Sequence, residues 1–179
     1  FKTAAGRKVY DGAGLDPDIF LEGPTYGSAI IELVGGGYVF EYATKYCGEH
    51  PIPASMKDFK LTDEEYQKFV QWTQGQKISY TTELDQKADE LVATAKKEKY
   101  YDELKFPLNE LKAKIDQNKS SSLTRFKPEL VKILEQEIAF HYRLAKGQIE
   151  ISLDEDKEII EAKKALADLV TYKKLLSPN

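Results

Sequence analysis

Apolar positions along most of this chain recur at intervals of three and four, the spacing of one buried face on an α-helix. Residues 28–34 read as a short apolar helix stopped by Gly35-Gly36-Gly37, and 38–46 as a second, with Val39, Phe40, Ala43 and Cys47 available to one face and Gly48 and Pro51 as its stop. Residues 51–60 read as a loop. Thr62 and Glu65 then form a capping box, after which Tyr66, Phe69, Val70 and Thr73 share a face, Trp72 flanks it, Lys68, Gln71 and Gln74 point outward, and Gly75 ends the segment. An aromatic stripe at this spacing is core.

Two series follow with the same steps of four, three and four: Leu84, Ala88, Leu91, Ala95, then Leu104, Leu108, Leu111, Ile115. A residue before proline is pushed away from helical geometry, so Phe106-Pro107 predicts a break or kink between them. Residues 118–122, Asn-Lys-Ser-Ser-Ser, read as a polar hinge. The pattern over 128–146 predicts a long helix with Pro128 in its first turn, Gly147 as its C-terminal stop and a broad face of Leu130, Ile133, Leu134, Ile138, His141 and Leu144. Ile149-Glu150-Ile151 alternates like a short strand or extended connector. Ser152 and Glu155 predict another capping box, opening a last stripe of Ile159, Ala162, Leu166, Leu169, Tyr172 and Leu176, closed by Pro178.

Residues 1–21 break the pattern. Phe1-Lys2-Thr3 and Lys8-Val9-Tyr10 read as two short strands joined by a turn and closed by Gly12, Gly14 and Pro17. A lone hairpin is marginal in water and needs further strands or a helix layer against it. With none evident downstream, the expectation is that its neighbours lie upstream, and that this chain is the back end of a larger protein. Glu22-Gly23-Pro24 reads as a linker. The fold class expected is therefore mainly α: a β-hairpin over 1–23, then a helical domain over 24–179.

Composition narrows the chemistry. Against 26 Lys and Arg stand 30 Asp and Glu, a net charge of -4 over 179 residues, so no field for binding nucleic acid is expected. One cysteine, Cys47, cannot form an internal disulfide and reads as a small buried hydrophobe. There is no run of about eighteen apolar residues and no secretion-signal order at the N-terminus. The three glycines at 35–37 lack the Gly-Lys-Ser/Thr ending of a phosphate loop. His50 and His141 lack partners at zinc-ligand spacing, and His141 reads as a satisfied core or interface histidine. Asp154-Glu155-Asp156 lacks the glycine and later glutamate of a calcium loop and suits a helix start. Ser120, Ser121 and Ser122 have no glycine elbow, Asn118-Lys119-Ser120 reads as plain loop, and Asp16-Pro17-Asp18 reads as a turn whose carboxylates bond backbone amides. No catalytic, cofactor or metal residue is assigned in the chain.

Two stretches carry a family resemblance. Thr3-Ala4-Ala5-Gly6-Arg7-Lys8-Val9-Tyr10 followed by Gly14-Leu15-Asp16-Pro17-Asp18-Ile19 resembles the closing segment of the protease domain in carboxyl-terminal processing, or tail-specific, serine proteases. Glu137-Ile138, His141-Tyr142 and Gly147, with the acidic run 154–156 and a following Ala-Leu helix, resemble helical tails of that family, His141 standing where arginine is common. The resemblance implies a nucleophilic serine and lysine base upstream of Phe1, a PDZ module earlier still, no cofactor, protein or peptide substrates, a possible homo-oligomer, and a periplasmic or cell-envelope location in a bacterium. Without that dyad the chain is expected to be inactive alone, and its surplus of amphipathic stripes and its Tyr and Phe content suggest a helical domain that braces the catalytic core, pairs protomers or gates substrate. The rival expectation is a free-standing helical module for protein interaction.

Overall fold

The computed structural model describes residues 1–4, 6–10, 12, 17–76, 78 and 81–177. It is mainly helical, and among the described residues there is no strand. The chain divides into two compact units, Thr25–Ile151 and the pairing of Phe1–Pro24 with Ser152–Asn179.

In the first unit, α1 (Ser28–Gly35) and α2 (Tyr38–Glu49) form a tight pair. Gly37 sits between them at φ 80°, a backbone conformation that glycine adopts without strain. Helix α2 buries Val39, Tyr42, Ala43 and Tyr46, while Phe40, expected inside, is exposed. It also runs through Gly48, and the chain turns extended at His50, before Pro51. After the loop, α3 (Asp63–Gly75) starts as expected at Thr62, whose hydroxyl accepts from the Glu65 amide at 3.2 Å. The reciprocal half of the box is replaced: the Glu65 carboxylate turns to Lys68 at 2.6 Å. Tyr66, Phe69 and Thr73 are buried, and Trp72 packs on the core stacked against Phe69.

Helices α4 (Glu83–Lys97) and α5 (Tyr101–Ser120) follow. The break between them falls at 98–100, earlier than the proline suggested. Lys99 takes φ 65°, the Tyr100 amide reaches back to the Ala95 carbonyl at 2.9 Å and the Lys99 amide to Lys96 at 3.2 Å, the hydrogen bonds of a Schellman cap without its usual glycine. Pro107 lies inside α5, which forgoes the amide bond proline cannot donate. The polar hinge is shorter than expected: α5 continues through 118–120, one turn residue, Ser121, intervenes, and α6 (Ser122–Arg125) begins.

The longest element is α7 (Lys127–Ser152). Its buried face holds Leu130, Leu134, Ile138 and Ala139, joined by Glu135. Gly147 does not stop it. The helix bends at Arg143 and Leu144, then resumes through 149–151, where an extended connector was expected. Gly147 is needed for packing: a Cβ there would run into the Ala139 carbonyl oxygen. The core of this unit joins α1, α2, α3 and α7 with the loop residues Met56, Phe59 and Leu61.

In the second unit, the hairpin expected at the N-terminus is reduced to one antiparallel bridge between Lys2 and Lys8, in keeping with the weakness of two three-residue arms lacking neighbours. Gly14, Leu15 and Asp16 lie outside the described residues. Arg7 grips Asp18 through both terminal guanidinium nitrogens. The last stripe is two helices, α8 (Lys157–Ala167) and α9 (Leu169–Leu175), and not one. Asp156, not Ser152, caps α8, accepting from the Glu158 and Ile159 amides at 2.8 and 3.0 Å, and Asp168 caps α9 in the same way.

Candidate functional site

The chemistry-bearing side chains are packed as structure. The hydroxyl of Thr44 and the Glu137 carbonyl each lie 2.9 Å from a ring nitrogen of His141, with Phe40 tilted over the ring. Both ring nitrogens of His141 thus have a partner, and the Thr44 hydroxyl also donates to the Phe40 carbonyl at 2.9 Å, so the residue is packed as structure, as the sequence suggested. His50 stacks on Tyr46 with ring centroids 4.0 Å apart, and its backbone carbonyl accepts from Tyr142 at 2.9 Å. Burial pushes the Tyr42 and Tyr66 hydroxyls up to about 12, with the Glu65 charge adding to the effect at Tyr42. Burial likewise raises the Cys47 thiol, which is half-buried against α7, so thiolate is depleted and the residue is a poor nucleophile.

Other expected candidates disperse. Asp18 is spent on Arg7, Asp156 on the α8 cap, and the Ser122 hydroxyl donates to the Asn118 carbonyl at 3.1 Å. Among the described residues no group of three His, Cys, Asp or Glu side chains is arranged to hold a metal ion, and no helix is long and apolar enough to cross a membrane.

What the first unit does offer is a surface. Helix α4 opens with a reciprocal capping box: the Thr82 amide donates to the Asp85 carboxylate at 2.7 Å and the Asp85 amide to the Thr82 hydroxyl at 3.0 Å. Lys119, at the far end of α5, reaches the same carboxylate at 3.1 Å, and Lys112 pairs with Asp89 at 2.6 Å, so the two helices run antiparallel. Along the shared seam the small Ala88 and Ala95 and the larger Leu108 and Ile115 are buried. The leucines between them are not: Leu84, Leu91, Leu104 and Leu111 keep 56%, 47%, 42% and 41% of their surface. Ala29 and Phe126 line one pocket with Leu84 and Ile115, and even so the four leucines stay at least two-fifths exposed. The sequence pattern could not show this, because periodicity reports that a face is apolar and not how much of it finds a partner. A second missed residue is Glu135, whose place on the Leu134–Ile138 stripe was the available signal.

The Asp85 carboxyl is held below the usual aspartate range, first by the Thr82 backbone amide, then by the Thr82 hydroxyl and Lys119. Its stabilising contribution is therefore complete above the unfolded-state value of about 4 and is lost as pH falls through the lower folded-state value. In thermal melts, the native chain is expected to exceed Asp85→Asn by roughly 1 kcal/mol at pH 6, with the gap closing toward pH 2. A gap independent of pH would show that the carboxylate charge is not what the cap uses.

In the second unit, Pro17, Ile19 and Leu21 face Ala162, Leu166 and Tyr172 across a mainly apolar groove of about 570 Å³.

Compared with known families, residues 29–166 match a family described as "Probable PDZ-protease, C-terminal helical domain". No curated protein and no solved structure matches the chain.

Proposed function

The chain belongs to the family of C-terminal helical domains of probable PDZ-proteases, and from that premise we propose that it is the non-catalytic tail of a carboxyl-terminal processing serine endopeptidase. The observation that carries the reading is the family match over residues 29–166. It is supported by the resemblance of residues 1–21 to the end of such a protease domain. In this reading residues 1–23 are the last strands of the protease domain and 24–179 the helical domain, in a parent resident in the periplasm or cell envelope. The parent cuts near protein C-termini with a serine nucleophile and a lysine base. A lysine serves as base only where its surroundings lower its pKa, so the dyad belongs to a folded catalytic domain and not to a tail.

Of bracing, pairing and gating, pairing of protomers has the most direct support, in the open leucine seam of α4 and α5. Two such hairpins meeting seam to seam would complete a four-helix arrangement that buries all four leucines. Light scattering across a concentration series is expected to give the mass of two chains, and Leu91→Lys with Leu111→Lys the mass of one, helical circular dichroism being retained. A native chain that stays at single mass at the highest concentration would remove the pairing role. Mixed with an unstructured peptide, the chain is expected to release no product above blank. Turnover abolished by replacing one of its residues would sink the protease-tail reading itself. The rival, a free-standing interaction module, predicts a native gene product the size of this chain on a blot; the protease-tail reading predicts one several times larger.

A further inference from the structure

Helix α7 bends before the glycine that its sequence offers as a stop, at residues that are themselves helix formers. Sharp kinks normally sit at proline, at glycine or serine pairs, or at bulges. Here the non-helical residues are Arg143 (φ -137°, ψ 16°) and Leu144 (φ 52°, ψ -148°), followed by Ala145 and Lys146, all good helix formers. Leu144 occupies a region of backbone space that essentially belongs to glycine, and its side chain is largely exposed, so its own packing does not repay the strain. The forces that hold the bend lie elsewhere. Gly147 fits against the Ala139 carbonyl, and Ile151 is buried in the core cluster. Arg143 reaches the Glu150 carboxylate and the Ala54 carbonyl, each at 3.4 Å.

We propose that α7 is a two-state element hinged at Arg143 and Leu144: a bent form held by Ile151 and Gly147, and a straight form in which residues 127–152 make one uninterrupted helix. The local propensity of Arg143 to Lys146 favours the straight form and tertiary packing around Gly147 and Ile151 the bent one, the conflict that makes a packed element bistable. Straightening withdraws Ile151 from the core, releases the strain at Leu144 and opens the site that Ile151 fills. A partner that binds the two forms unequally would move the equilibrium by the ratio of its affinities.

The test uses spin labels at the exposed positions 129 and 148, in the full chain with Cys47→Ala, read by pulsed dipolar spectroscopy. A straight helix places these backbone positions about 28 Å apart, and the bent form brings them closer. Ile151→Ala and Gly147→Ala are each expected to raise the long-distance population at least about tenfold over the unsubstituted chain. Adding Leu144→Gly to Ile151→Ala is expected to restore the short distance, since glycine occupies that backbone conformation without strain. Two results overturn the proposal. One is a short distance unchanged in both single variants. The other is a distance that broadens together with loss of helical circular dichroism, which would mean that the variants unfold and do not straighten.

Discussion

Replacing Phe69 by alanine is expected to remove about 4 kcal/mol of stability, the largest effect foreseen for any single substitution here. The ring has no exposed surface and lies on α3 among Tyr42, Tyr66 and Trp72, at centroid distances of 5.1, 6.0 and 6.4 Å. Its contact with Tyr42 is edge-on at 70°, a geometry that adds roughly 0.5–1.5 kcal/mol to the burial itself. Four side chains on two helices are thus interlocked, and the space left by the ring cannot close without moving three others. Domains are typically stable by only about 5–15 kcal/mol, so this change alone brings the unit near its limit. Urea denaturation measures it, as a lowered midpoint at unchanged slope. Phe106→Ala is the control: that ring is 78% exposed, and its loss should fall within about 0.5 kcal/mol. Equal effects at the two positions would contradict the assignment of the core.

The second large effect belongs to Glu135. It is 4% exposed, and its carboxylate accepts from the Leu61 amide at 2.8 Å, with the Lys60 ammonium at 3.5 Å. Glu135→Ala takes the acceptor away from a buried amide at the point where the loop docks on α7. Leaving such a donor unpaired costs about 1–3 kcal/mol, and the loss of a hydrogen bond to a charged group and of packed methylenes brings the expected total to about 3 kcal/mol. Glu135→Gln keeps an oxygen in place and is expected to cost about 1 kcal/mol. Because Lys60 is well solvated, it recovers water in either variant, so the ordering tests the amide bond and not the ion pair. Glutamine as damaging as alanine would mean that charge, and not acceptance of the Leu61 amide, is what the site needs. Amide exchange at Leu61 would report the same event locally.

The helical class and most of the core were legible because periodicity is a direct record of burial on one face. Tyr66, Phe69, Leu130, Leu134 and Ile138 were expected inside and are inside. Boundaries were less legible, because they depend on contacts distant in sequence. The Lys99 turn carries no glycine to announce it, Gly147 looks like a stop until the Ala139 carbonyl is seen beside it, and Pro107 is absorbed within α5. The alternation of Ile149 and Ile151 suggested an extended segment, yet only Ile151 is buried, which a helix also permits. As for the candidate surface, the leucines of α4 and α5 were visible as a stripe, and their exposure was not, since periodicity does not report how much of a stripe finds a partner.

The placement of Trp72 has an optical consequence. It is the chain's only tryptophan, and it sits on α3 stacked with Phe69 and tilted against Tyr42. Its emission therefore reports the α2 and α3 core of the first unit alone, and excitation of Tyr42 feeds into it at a centroid separation of 5.5 Å. Circular dichroism, by contrast, sums every helix in both units. The protein carries a built-in pair of probes with different fields of view, and any offset between their melting curves is a reading of the helices that the tryptophan does not see.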